Sequence, residues 1–169
     1  KEKNGSWEKS WTAYSHTNPT LLDPEKEFGK LASKNISLIL AEEESFPNLL
    51  KEIPWPPHGL YVLGNKKIPN QNLLSIVGTR KATIAGKETA RAFSKKISEA
   101  GFTIVSGLAL GIDTESHKGA LDTERPTLAV IATGLDSIYP RTNTELAKKI
   151  LAQNGAIISE YPLGSPALP

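Results

Sequence analysis

The sequence predicts an α/β fold, a doubly wound and mostly parallel sheet preceded by a short helical segment. Three observations carry that expectation. From residue 73 onward, short apolar runs alternate with longer stretches of helical period. Several runs are continuously apolar instead of alternating, which marks strands buried on both faces. Three successive runs end in glycine-containing loops, at 78–81, 106–113 and 133–136, as strand-to-helix turns do.

The elements follow in chain order. Trp7, Trp11 and Tyr14 fall at i, i+4 and i+7, one face of a first helix, and Asn18-Pro19 breaks it. A second helix has Asp23 as N-cap, Pro24 at its first position and an apolar face of Phe28, Leu31 and Ala32. The period then changes, and Ile36–Leu40 reads as a short strand. Four prolines between Phe46 and Pro57 make that stretch a stiff connector, not a helix. Leu60–Gly64 is the next strand.

Leu73–Val77 forms a strand ending at Gly78. The helix after it has Thr89, Phe93, Ile97 and Ala100 on one face and stops at Gly101. Phe102–Val105 is a strand, and a short helix starts near Asp113. Thr127–Ala132 is the next strand. A helix opened by the capping box Thr142-x-x-Glu145 runs to Gly155, and Ala156–Ser159 closes the series. Residues 1–35 therefore read as a helical N-terminal segment and 36–169 as an α/β domain.

Composition narrows the chemistry. The 169 residues hold 20 basic and 18 acidic side chains and no cysteine, which removes disulfides, thiolate catalysis and cysteine zinc sites. The histidines, His16, His58 and His117, are scattered, so no metal and no cofactor are expected. No apolar run reaches the roughly 18 residues of a membrane helix, and no signal-peptide pattern opens the chain. The first residue is Lys1 and methionine is absent, so the chain reads as a fragment. Charge is uneven: residues 1–46 carry 6 basic and 8 acidic groups, leaving 14 and 10 for the rest. Any anion-binding surface belongs to the second part.

In a parallel sheet the three glycine loops gather at one edge, where open α/β sheets bind ligands. Gly78, Gly107, Gly111 and Gly134 let backbone approach a ligand, and helix N-termini offer free N–H groups. Thr79 and Ser106 add hydroxyls, while Arg80, Lys81 and Arg141 add positive charge. Such an edge prefers phosphate. The standard phosphate motifs do not fit: Gly86-Lys87 lacks a P-loop's upstream glycine, and no G-x-G-x-x-G occurs. Asp113 reads as a helix N-cap. His117 shares a face with Ala120 and Leu121 and packs on the sheet, and Glu160 sits at a strand end to cap or to pair with an arginine. No triad or paired-carboxylate arrangement emerges, so the residues point to binding over catalysis.

These loops resemble the DNA-processing protein A (DprA/Smf) family. The resemblance rests on Ser75–Thr83 followed by Gly86, on Val105–Asp113 with His117, Gly119, Ala120 and Leu121, on Ala129–Asp136 leading to Tyr139-Pro140-Arg141, and on Ser159–Gly164. Upstream, Phe46-Pro47 and Leu60–Asn65 extend it, so that it covers roughly residues 36–169. It implies an extended Rossmann-like domain, often homodimeric, in a bacterial cytoplasmic protein. That protein would bind single-stranded DNA, protect it and help load the RecA recombinase during natural transformation. Arg80 and Arg141 take the family's DNA-binding positions, with Gly78, Ser106 and Gly107 beside them. Leu110 stands where many members have a basic residue. The resemblance also implies a missing C-terminal continuation. A sensor of a small nucleotide and a nucleotide hydrolase of related fold remain open as other readings, although the P-G-G-x-G-T-x-x-E loop usual in such hydrolases is absent.

Overall fold

In a computed structural model that describes residues 23–167, the chain divides into two compact units, 1–33 and 34–169. The expected helix with Trp7, Trp11 and Tyr14 lies outside the described residues. In the first unit, α1 (Pro24–Ser33) starts as its sequence predicts: the backbone N–H groups of Glu25 and Lys26 donate to Asp23 Oδ1. Its expected apolar face is only partly buried, because Leu31 is enclosed while Phe28 and Ala32 are exposed.

The second unit is built on a six-stranded sheet in the order β1-β2-β6-β5-β4-β3. The strands are β1 (Ile36–Leu40), β2 (Gly59–Gly64), β3 (Leu73–Ser75), β4 (Thr103–Ser106), β5 (Thr127–Val130) and β6 (Ala156–Ser159). Strands β3 to β6 pair in parallel, whereas β1–β2 and β2–β6 pair antiparallel. The helices are α2 (Asn48–Lys51), α3 (Ile84–Glu99), α4 (Ile112–Leu121) and α5 (Thr144–Ala152). The proline-rich connector thus contains one helical turn, α2, because Pro47 precedes a proline-free run of six residues, Asn48–Ile53.

Alternation along the strands divides the core between two faces. On one face, α3 packs on α4 and α4 on α5. His117 of α4 touches Thr127 there, and Ile104, Ala129 and Ile157 are fully enclosed. On the other face Leu128, Ala156 and Ile158 meet Phe46, Ile68 and Leu50, carried by α2, its flank and a 3-10 turn at Ile68–Asn70. Both faces are covered, as the continuous apolar runs require.

The buried face of α3 differs from the expected one. Ala90, Ser94 and Ser98 are enclosed, while Phe93 is 61% exposed and Thr89 and Ala100 lie open. The cause is a close helix contact. A Cβ on Gly119 of α4 would collide with the Arg91 carbonyl oxygen and stand 2.9 Å from Ser94 Cβ. Only small side chains fit that interface, and their hydroxyls are satisfied by Ser116 O and Thr123 Oγ1.

Candidate nucleic-acid interface

The C-terminal ends of β3, β4, β5 and β6 lie along one edge, as parallel pairing dictates, and the loops that leave them build a cleft of about 280 Å³. Its wall includes Arg80 from the first loop, Gly107 and Leu110 from the second, and Thr133, Tyr139 and Tyr161 from the segments after β5 and β6. Tyr139 is 56% exposed, Leu110 45% and Tyr161 41%, so each is open to solvent. An arginine that shares a cleft with two exposed aromatic residues can meet an anion while they meet a flat heterocycle. A larger groove of about 670 Å³ runs beside α4 and α5, but apart from Lys149 its charges are paired within the chain. There Arg91 holds Asp122 through two hydrogen bonds of 2.6 and 2.8 Å, and Lys118 meets Glu115 at 2.7 Å.

The first two loops are tied together by hydrogen bonds within the chain. Gly111, at φ +82°, caps α4 without a side-chain bond, and a Cβ there would strike the Thr79 carbonyl oxygen. The Ile112 N–H donates to Thr79 O at 3.3 Å, tying the second loop to the first. Asp113 is therefore not the N-cap but the second residue of the helix, and it faces inward. Its Oδ1 accepts the Gly78 N–H at 3.2 Å and its Oδ2 the Gly107 N–H at 3.1 Å.

The expected capping box does not form either. A 3-10 turn at Arg141–Asn143 precedes α5, and the N-cap is Asn143, without a side-chain cap bond. The Asn143 side chain turns into the core instead. Its Nδ2 donates to Leu108 O at 2.8 Å and Thr114 Oγ1 at 2.9 Å. The sequence reading missed this residue; its only local signal is an asparagine three residues beyond Pro140.

The sequence-selected residues part into three groups. Arg80 lines the cleft, while Lys81 and Arg141 stand exposed on neighbouring loop positions. Thr79 Oγ1 accepts the Lys81 N–H at 3.2 Å, which curls the first loop. The amides of Gly78, Gly107 and Gly134 and the Ser106 hydroxyl are engaged within the chain. Gly78 and Gly107 serve Asp113, Gly134 N–H donates to Ser165 O at 3.0 Å, and Ser106 Oγ donates to Ile76 O at 2.6 Å. Away from the cleft, His117 is fully buried, and burial pushes its pKa down to about 4, opposed in part by the Ser106 backbone. Glu160 lines a separate groove with Trp55 and His58 and does not reach the cleft. Tyr161 lies within the Ser159–Gly164 motif, and the fold sets it on the cleft wall.

Fold and cleft define an α/β protein with a cleft lined by an arginine and two tyrosines at the carboxyl edge of a mostly parallel sheet. Residues 37–169 match the profile of DNA recombination-mediator protein A, and the chain belongs to that family. Protein Smf of Synechocystis sp. is 42% identical over 151 residues, covering 85% of this chain and 37% of the relative. The chain thus spans little more than a third of that relative's length. The X-ray structure of DNA processing protein A from Streptococcus pneumoniae superimposes with TM-score 0.75 at 30% identity, over 87% of this chain and 50% of that one. The same protein from Helicobacter pylori, whose structure describes a single-stranded DNA binding mode, gives TM-score 0.66 at 30% identity, over 79% of this chain and 59% of that one. Among the described residues no helix is long and apolar enough to cross a membrane, and no group of three or more acidic or histidine side chains is arranged to hold a metal.

Proposed function

We propose that the cleft binds single-stranded DNA, one phosphate at the Arg80 guanidinium and an unstacked base against Tyr139 or Tyr161. The observation that carries this is the meeting of Arg80 with two half-open tyrosines in one cleft. A flexible strand suits it, because stacking needs bases free of a partner strand and a few cations suffice to hold successive phosphates. Lys81 and Arg141 flank the cleft as further phosphate contacts. Gly78, Ser106, Gly107, Gly111 and Gly134 shape the loops, and Asp113 and His117 support them from behind. The single-stranded DNA binding mode described for the Helicobacter pylori relative favours the same ligand.

The longer reading takes residues 36–169 as the DNA-binding domain and 1–35 as a segment linking to another module. The whole protein would be a bacterial cytoplasmic homodimer that protects incoming single strands and helps load RecA, with no catalytic step of its own. The test is oligo-dT affinity against salt in the full-length protein. Each lost phosphate contact lowers the magnitude of the log-log slope by about 0.7. If Arg80→Ala and Arg141→Ala both leave affinity and slope unchanged, the site lies elsewhere.

A further inference from the structure

Two of the backbone amides that an α/β loop cluster can turn toward a phosphate, those of Gly78 and Gly107, are occupied from inside this chain. Asp113 is only 6% exposed, and its two carboxylate oxygens take the N–H groups of Gly78 and Gly107, one from each of the first two loops. A carboxylate and a terminal phosphate offer such amides the same kind of acceptor. The fit is close, since a Cβ on Gly107 would stand 2.7 Å from Asp113 Oδ2. Toward solvent, the Arg80 guanidinium is the cation left on the cleft wall.

We propose that Asp113 is a specificity-determining residue, a built-in occupant of the anion cradle between β3 and β4. With that cradle filled, the cleft takes internucleotide phosphodiesters through Arg80 and refuses the terminal phosphate of a free nucleotide. Two physical reasons combine. No amide of Gly78 or Gly107 is left to receive the monoester, and its second negative charge would approach a buried carboxylate in a medium of low dielectric. A diester carries one charge and is met from outside by a long side chain. This inference rests on the single-stranded DNA reading of the cleft and sharpens it, since it separates a strand from the mononucleotides chemically closest to it.

The test uses the full-length protein with three probes: fluorescent oligo-dT, thymidine monophosphate and inorganic phosphate. In the unaltered protein, 5′-phosphorylated and 5′-hydroxyl oligo-dT bind within about twofold of each other. Millimolar thymidine monophosphate or phosphate neither displaces the oligomer nor raises the melting temperature. Asp113→Ala frees both amides, and it gains a phosphate-dependent rise in melting temperature that the unaltered protein lacks, with acetate competing for the same place. The proposal is overturned by a phosphate or monophosphate response in the unaltered protein, or by a folded Asp113→Ala that gains none. Should Asp113→Ala not fold, the comparison of the two oligomer ends and the mononucleotide competition decide alone. Failure to bind oligo-dT at all would sink the DNA reading, and the phosphate responses of the two proteins would still judge the role of Asp113.

Discussion

Thr127 Oγ1 lies 2.9 Å from His117 Nδ1 and donates its own proton to the Ile104 carbonyl oxygen at 2.7 Å. The hydroxyl therefore accepts from an Nδ1–H, which fixes the neutral imidazole tautomer between α4 and two central strands. Neutrality has a pH consequence. Burial lowers the folded pKa to about 4 from an ordinary 6.5, so the unfolded ring binds protons more readily. The stabilisation is complete above pH 6.5 and is lost as pH falls toward 4, in all about 3 kcal/mol. Urea midpoints across that window, for the protein and for His117→Gln, should show a steeper acid decline in the former. Coincident declines would mean another group controls the acid limb.

Tyr161 and Arg80 should fail in different ways. Removing a stacking ring costs about 1–3 kcal/mol of single-strand affinity and leaves the salt slope intact, since no counterion is involved. Removing Arg80 lowers both. Fluorescence anisotropy with oligo-dT at several salt concentrations separates Tyr161→Ala, Tyr161→Phe and Arg80→Ala. Tyr161→Phe keeps the ring and should bind nearly as the parent does. A changed slope in Tyr161→Ala would argue against stacking there.

Asn143→Ala leaves Leu108 O without its side-chain donor in a buried place. The expected loss is about 1–3 kcal/mol of stability. Asn143→Asp should be worse, because an acceptor-only carboxylate then faces the same carbonyl oxygen. Chemical denaturation of the two variants checks the order, and equal midpoints would refute the assigned hydrogen bonds.

Between α3 and α4, fit should outweigh charge. Gly119→Ala places a methyl into the Arg91 backbone, an overpacking that costs about 1–3 kcal/mol. Arg91→Ala removes a bidentate pair with Asp122 whose side chains are 46% and 35% exposed, and its cost should stay below about 1 kcal/mol. Thermal melts of both variants give the comparison, and the reverse order would make the ion pair the chief link.

The strands and the loop edge were legible because continuous apolar runs bounded by Gly78, Gly107 and Gly134 admit few foldings. The helix contact was not. Phe93 and Ile97 dominate the apolar period of α3, yet proximity to α4 is set by Ala90, Ser94 and Ser98 opposite Gly119. Small residues spaced four apart were the available signal, and side-chain size hides it when periodicity is scored by hydrophobicity alone. Asp113 shows a second limit. Its place near a helix start was readable, but the amides it meets come from loops 35 and 6 residues away, which only the tertiary fold joins. The same holds for the amides of Gly78, Gly107 and Gly134 and for the Ser106 hydroxyl, donors that the sequence leaves free and the fold commits.

The coupling of the first two loops through Gly111, Ile112 and Asp113 bears on how fast a ligand is captured. A recognition surface whose first two loops are tied together by hydrogen bonds needs no closing motion of those loops. Its association rate should rise linearly with protein concentration without a plateau, and salt should slow it through weakened long-range attraction. If the cleft binds single strands as proposed, discrimination between them then falls to residence time, set by how long one base stays against a tyrosine before the next takes its place.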